Sequence, residues 1–348
     1  MTDITKNRWN LPQILRILVL IVVLPLTYNW LQQFFYSTAY LFGEQVLGYD
    51  YETMDTLYGN NTYFADAMFC IFASIIYLPW YIRVRHKERL LMIEPHQKKC
   101  DIKTIIKTVI ITFGIGGISY IWLSAVDFVT AILETTGGED VIGLGESLEE
   151  FATAFAPVDS EAYIWVFLSV VFLGPLVEEL IFRGIQYYYA ERIRRGWFAV
   201  LVTAISFGIW HGNFVQGVYT ALMGIAIAIV YRHTRSILIP LLMHIINNFM
   251  AALPPALDLD IVYHAYDTIC LIMILPTIYL LVRMAISDNR KEKEIRKKEF
   301  ELMQKAYRES LMNEMQINIS NTEEIHSLAG TQNEPENVIN ETVNTTDE

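Results

Sequence analysis

Three short segments place acids, imidazoles and amides inside otherwise apolar runs. The first is Gly174-Pro175-Leu176-Val177-Glu178-Glu179-Leu180-Ile181-Phe182-Arg183-Gly184. The second is Phe207-Gly208-Ile209-Trp210-His211-Gly212-Asn213, and the third is His244-Ile245-Ile246-Asn247-Asn248. A charge at the centre of a bilayer costs about 2.5–3.5 kcal/mol on insertion scales, so each such residue needs a partner or a task. Glu179 and Arg183 are four apart and share a helix face, where an ion pair offsets much of the cost of both. Glu178 points about 100° away around the helix and has no partner within it. An acid held in that setting suits a general base working near neutral pH. Pro175 removes a backbone hydrogen bond just upstream and predicts a bend or opening before the two acids.

His211 ends an apolar run that begins at Trp197. His244 and Asn248 are again four apart, with Asn247 beside their shared face, and Pro240 lies one turn before. Neutral His and Asn can both donate hydrogen bonds to a developing oxyanion. Each segment alone also fits a structural role, as a salt bridge at a helix end, a histidine at a helix end, or hydrogen bonds between membrane helices. The combination is more pointed. Of seven His, only His211, His244 and His264 lie in or beside apolar spans, and Glu178-Glu179 is the only adjacent acidic pair within one. His264, near Asp267 at the start of the last span, reads as interfacial. Packed together, the three segments would set an acid, two imidazoles and an amide around one water. One tension stands: the span ends place His211 nearer the outer surface than His244.

The elements that must carry these residues follow from composition. The chain has 348 residues, 53% hydrophobic, with a net charge of −12. Eight apolar segments are of membrane-spanning length, about 17–25 residues, at approximately 11–35, 63–83, 104–126, 162–189, 196–212, 215–232, 236–254 and 262–285. The first is uncharged from Ile17 onward, long for a signal peptide and not followed by a small-residue cleavage site, so it reads as an anchor. Lys and Arg gather in the N-terminus, in 84–103, in 190–195, in 231–235 and after 286, while 36–62, 127–161, 213–214 and 255–261 hold none. That is the positive-inside pattern, and it predicts an all-α polytopic membrane protein of about eight transmembrane helices with both termini cytoplasmic.

Within the acidic loop 127–161, Val141–Ala156 has helical apolar spacing and reads either as an interfacial helix or as a solvated loop. The domain reading is an N-terminal transmembrane region over 1–160, a core over 161–286, a charged cytosolic helix over 287–312 and a disordered acidic tail over 313–348. Cys70, Cys100 and Cys270 read as small hydrophobes or free thiols, not as a disulfide framework or metal site.

The three segments carry the pattern E-E-x-x-x-R, F-x-x-x-H and H-x-x-x-N, as Glu178-Glu179 to Arg183, Phe207 to His211, and His244 to Asn248. In this the sequence resembles the CAAX protease and bacteriocin-processing family (CPBP), also called the Abi or type II CAAX prenyl endopeptidase family, over roughly 162–254. The resemblance implies an eight-helix intramembrane endopeptidase in which Glu178 and His211 activate water. It implies that His244 and Asn248 stabilise the oxyanion and that Glu179 and Arg183 support the site, with Phe207 and Asn247 beside them. Relatives are described both as metalloproteases and as metal-free glutamate proteases. Glu178, His211 and His244 could make a His₂Glu zinc site. There is no H-E-x-x-H motif to favour it, so the expectation is a hydrolase with no required cofactor and zinc as the alternative.

The expected partners are the lipid bilayer and a peptide or membrane-protein substrate, not nucleic acid. The expected location is a plasma membrane of bacterial type, with peptide or bacteriocin maturation or self-immunity as the setting the resemblance implies. No G-x-S-x-G is present, and Cys70 and Cys270 are far from the motifs, which disfavours acyl-enzyme chemistry. Two other classes compete. One is a non-catalytic membrane regulator or scaffold that docks a partner through its tail. The other is a proton-coupled transporter, for which the span pattern offers no inverted repeat.

Overall fold

A computed structural model describes residues 11–60, 62–90, 101–140, 143–154 and 163–330. Among the described residues every regular element is helical. The helices are α1 (residues 11–47), α2 (Tyr51–Asn60), α3 (Thr62–Leu90), α4 (Ile102–Thr136), α5 (Leu144–Ala154), α6 (Tyr163–Ile193), α7 (Trp197–Trp210), α8 (Phe214–Thr234), α9 (Leu238–Ala251) and α10 (Asp260–Gly330). Six stretches are long and apolar enough to cross a membrane: Leu15–Leu47, Thr62–Glu88, Ile102–Thr136, Tyr163–Ile193, Phe214–Thr234 and Asp260–Ile317. The chain is a multi-pass membrane protein. α7 and α9 are apolar but only 14 residues long, short of the about 20 that a crossing takes. Two of the eight expected spans, 196–212 and 236–254, are therefore short apolar helices.

Several loops expected from charge and polarity are helical. α1 runs on to Leu47, so that its last turns and all of α2 lie inside the expected loop 36–62. α3 extends to Leu90 and α4 to Thr136. A helix does not stop where the apolar stretch stops, because its backbone hydrogen bonds continue until a cap or breaker intervenes. α4 ends at Gly137, which takes the left-handed conformation (φ 65°) suited to glycine. Of the segment 141–156, residues Leu144–Ala154 form α5; 141–142 and 155–156 lie outside the described residues, as does Cys100.

Two units divide the chain, Met1–Asn289 and Arg290–Glu348. In the second, helix continues to Gly330, beyond position 312 where composition predicts its end, and Glu292 pairs with Arg296 at 2.6 Å, one turn away. The side chains of Phe300, Leu302, Met303 and Tyr307 are exposed there. Residues 331–348 of the predicted disordered tail lie outside the described residues.

In the first unit, α6, α7, α8 and α9 pack into the buried centre, with α1, α3 and α4 against them. Close backbone approach makes this possible. A Cβ on Gly208 of α7 would lie 2.5 Å from the Gly217 carbonyl of α8, and one on Gly224 of α8 would lie 3.1 Å from Ala204 Cα of α7. Small residues let membrane helices meet at this range, where van der Waals contact supplies most of the association. Gly208→Val is accordingly expected to force α7 from α8 and lower stability by about 1–3 kcal/mol, read as a lower melting temperature of the purified protein in detergent.

Wide, π-type turns interrupt α1 at Val19–Val23 and α6 at Phe167–Leu173 and Leu180–Gln186. Their altered hydrogen bonding leaves carbonyls that must be satisfied from elsewhere in an apolar setting. Around Val19–Val23, Gln186 donates to the Leu20 carbonyl at 2.6 Å and Ser206 to the Ile21 carbonyl at 3.0 Å. Gln186 also donates to Ser206 Oγ at 2.8 Å, so one polar knot ties α1, α6 and α7 together.

Candidate active site

The segment carrying the two acids starts from a defined break. Gly174 N–H donates to the Ser169 carbonyl, five residues back, and Pro175 then brings no N–H of its own. From there Gly174–Glu179 forms ordinary α-helix, and the following turns widen again over Leu180–Gln186. Glu178 and Glu179 sit between these two irregular stretches. The α-helical register sends them apart. Glu178 lines a cavity of about 350 Å³, and Glu179 lies behind it, fully buried.

Glu179 faces Arg183 as the i,i+4 spacing requires, with 3.2 Å between Arg183 Nη1 and Glu179 Oε1. Both side chains are fully shielded, so the charges compensate in a low-dielectric setting where neither would be tolerated alone. Arg183 Nη2 reaches toward the Gly224 carbonyl at 3.4 Å, and its guanidinium lies 4.7 Å from the centre of the Phe207 ring. That ring receives a cation on one side. His211 and His244 meet it edge to face at 4.6 and 5.7 Å. Phe207 is thus the packing centre that holds a guanidinium and two imidazoles in fixed relation.

His211 follows the last residue of α7, and its Nδ1 lies 2.8 Å from the Phe207 carbonyl. A carbonyl only accepts, so Nδ1 carries the hydrogen and Nε2 of the neutral ring is left as an acceptor. His244, on α9, lies across from both acids. Its Nδ1 is 3.0 Å from Glu179 Oε1, and its Nε2 is 3.5 Å from Glu178 Oε2. Spacing within α9 paired His244 with Asn248; the tertiary structure adds a bridge to the acids that no intrahelical argument contains. Asn248 donates from Nδ2 to the Val170 carbonyl at 2.9 Å and receives a bond from Asn247 Nδ2 at 3.2 Å.

All of Glu178, His211, His244, Asn247 and Asn248 line the one cavity. The expected disparity in depth between His211 and His244 does not separate them, because α7 and α9 are short and end beside the same space. Glu179, Arg183 and Phe207 stand behind that wall.

The cavity also has walls that the three segments did not announce. Tyr28, Asn29 and Gln32 come from α1, Asp66 and Cys70 from α3, and Gln216 and Tyr219 from α8. Asp66 accepts a short hydrogen bond from the Tyr36 hydroxyl. Asp66 is an acid inside the apolar run 63–83, so the rule that singled out Glu178 applied to it equally. In sequence it has no adjacent acid and no motif to mark it.

Among the described residues, no group of three or more His, Cys, Asp or Glu is arranged to hold a metal ion. Glu178, His211 and His244 share the cavity without converging as a three-ligand set, and each imidazole already has Nδ1 engaged.

Residues 160–250 match the family model described as type II CAAX prenyl endopeptidase Rce1-like, and this stretch is an Rce1-like domain within the multi-pass protein. The chain is also 27% identical over 135 residues to the protein of Bacillus subtilis (strain 168) described as "Putative membrane peptidase YdiL". That match covers 38% of this chain and 54% of the relative, so the chain spans about half the length of the curated relative it matches. No solved structure matches.

Proposed function

We propose that this protein is an intramembrane endopeptidase of the CPBP type, which hydrolyses a peptide bond with water activated by Glu178 and His211. The observation that carries this reading is Glu178 Oε2. It is a buried carboxylate oxygen that makes no hydrogen bond among the described residues, with His244 Nε2 approaching it only to 3.5 Å, on the wall of a cavity that both imidazoles share.

Charge counting supports the roles. Glu179 and Arg183 cancel. Glu178 and His244 then come to net neutrality when one proton is held between them. With that proton on His244, its Nδ1–H donates to Glu179, its Nε2–H is offered toward Glu178 and the cavity, and Glu178 is ionised and able to act as base. Glu178 takes a proton from water as the oxygen attacks the peptide carbonyl carbon. The carbonyl electron pair moves onto oxygen, and the oxyanion is met by His244 Nε2–H and the remaining Asn248 N–H. Collapse breaks the C–N bond, and the proton on Glu178 passes to the leaving nitrogen. His211, with its Nε2 lone pair, orients the water or shares its proton. Preorganised donors of this kind are each worth about 10²–10³ in kcat. No step is routed through a metal.

The substrate in this reading is a peptide or membrane-protein segment that reaches the cavity from the bilayer. Two further proposals are an eight-span N-in/C-in arrangement in a bacterial plasma membrane and a role in peptide or bacteriocin maturation or self-immunity.

Purified full-length protein in lipid vesicles, given pooled synthetic peptides and analysed by mass spectrometry, tests the activity. His211→Ala is expected to lower the cleavage rate by about 10²–10⁴ while the variant elutes and melts like wild type. Cleavage at the wild-type rate would remove His211 from the reaction. A chelator series on the same preparation separates metal-free from zinc-dependent hydrolysis. No cleavage by the wild type, with normal insertion, would favour a non-catalytic regulator.

A further inference from the structure

Asp66 stands on α3, outside residues 160–250, yet its carboxylate lines the same cavity as Glu178. The Tyr36 hydroxyl donates to Oδ1, and Gln32 bonds the same carboxyl group, so α1 fixes its orientation. Tyr36 and Gln32 supply hydrogen bonds but no positive charge, and among the described residues Asp66 has no ion-pair partner. Every other carboxylate of the site is matched: Glu179 by Arg183 and His244, and Glu178 by His244. The described residues that line the cavity include two carboxylates, Asp66 and Glu178, and no Lys or Arg.

A carboxylate held in a recess of a membrane protein is costly unless a cation comes to it. Asp66 is half-buried, not sealed, so a group entering the cavity can reach it. The amide side chains of Asn29, Gln32, Gln216 and Asn247 around the same space can hold a peptide backbone but cannot neutralise a charge.

We propose that Asp66 is the specificity-determining residue of this cavity and receives a cationic side chain, Lys or Arg, of the peptide that occupies it. This rests on the peptide-hydrolase reading for the substrate's class, and it makes a claim about binding that can be measured without catalysis. A charge-assisted hydrogen bond contributes about 1.5–3 kcal/mol, which predicts roughly a 10- to 100-fold preference for a cationic residue over an apolar one of similar length.

The test uses full-length protein in neutral-lipid vesicles and fluorescein-labelled peptides Ala-Ala-X-Ala-Ala-Ala, with X as Lys, Arg, norleucine or Glu. The readout is the ratio of dissociation constants for norleucine and Lys, measured in wild type, Glu178→Gln, Asp66→Asn and Asp66→Glu. The expected ratio is about 10 or more in wild type and in Glu178→Gln, about 1 in Asp66→Asn, and largely restored in Asp66→Glu. Unchanged affinity for the norleucine peptide shows that Asp66→Asn is folded, and a ratio that stays at about 10 in this variant would overturn the proposal. So would equal affinity for all peptides in wild type, or no binding of any. A preference that disappears with Asp66→Asn, in a protein that cleaves none of the peptides, would uphold Asp66 and count against hydrolysis alone.

Discussion

Glu178→Gln is expected to abolish peptide hydrolysis, with kcat down by about 10³-fold or more, while leaving the protein inserted and folded. Gln has nearly the volume and shape of Glu, so the cavity wall is preserved. What changes is the ability to accept a proton: an amide oxygen is too weak a base to take one from water in the transition state. General acid–base assistance contributes about 10²–10⁴-fold, and Glu178 is asked to supply both the proton abstraction and its return to the leaving nitrogen. Glu178 Oε2 has no other donor among the described residues, so no structural hydrogen bond is lost with the charge. His244 loses an anionic neighbour at 3.5 Å but keeps Glu179 at 3.0 Å. Single-turnover cleavage should therefore collapse while the melting temperature in detergent moves little. A variant that hydrolyses at the wild-type rate would dismiss Glu178 as the base. A variant that fails to insert would show that the charge is structural.

Arg183→Leu is expected to be the most disruptive single substitution in the site, costing about 3–5 kcal/mol of stability as well as activity. Its guanidinium is fully buried, paired with Glu179 and set over Phe207. Removing it leaves the Glu179 charge enclosed with only His244 beside it, and it takes the cation from the face of the ring that both imidazoles pack against. The double variant Glu179→Leu, Arg183→Leu removes both charges and should recover part of the lost stability without recovering activity, because His244 Nδ1 then has no acceptor to fix it. Melting temperatures of the two variants, side by side, decide the matter. If the double variant melts below the single one, the pair does not act as a compensated unit.

The contrast between these two acids was legible in the sequence, because an i,i+4 relation and a 100° offset need only one helix. Glu179 with Arg183 came from that arithmetic, and so did the separation of Glu178 from both. The all-helical membrane architecture was equally plain in the long apolar runs. The bridge from His244 to the two acids was not, since it joins α9 to α6 across the bundle, and periodicity within an element says nothing about which elements meet. The same limit hid Tyr28, Gln32 and Gln216, whose polarity is ordinary and whose meaning arises only from the space they enclose. Span lengths are a different matter: six stretches are long and apolar enough to cross a membrane, and α7 and α9 are shorter. α7 and α9 are apolar along their whole length, but hydropathy cannot see that Gly212 (φ 74°) and the residues after Ala251 end them after 14 residues. Short helices are what bring His211 and Asn248 to the edge of one cavity.

That cavity takes two of its walls from α1 and α3, which precede residues 160–250. The stretch that matches the family model is therefore not the whole of the cavity's lining. A chimera that carried 160–250 alone into another scaffold would keep the wall bearing Glu178, His211, His244 and Asn248 and take the opposite wall from its host. On the proposed reading, substitutions in α1 and α3 can change which peptide the cavity holds and leave Glu178 and His211 in place.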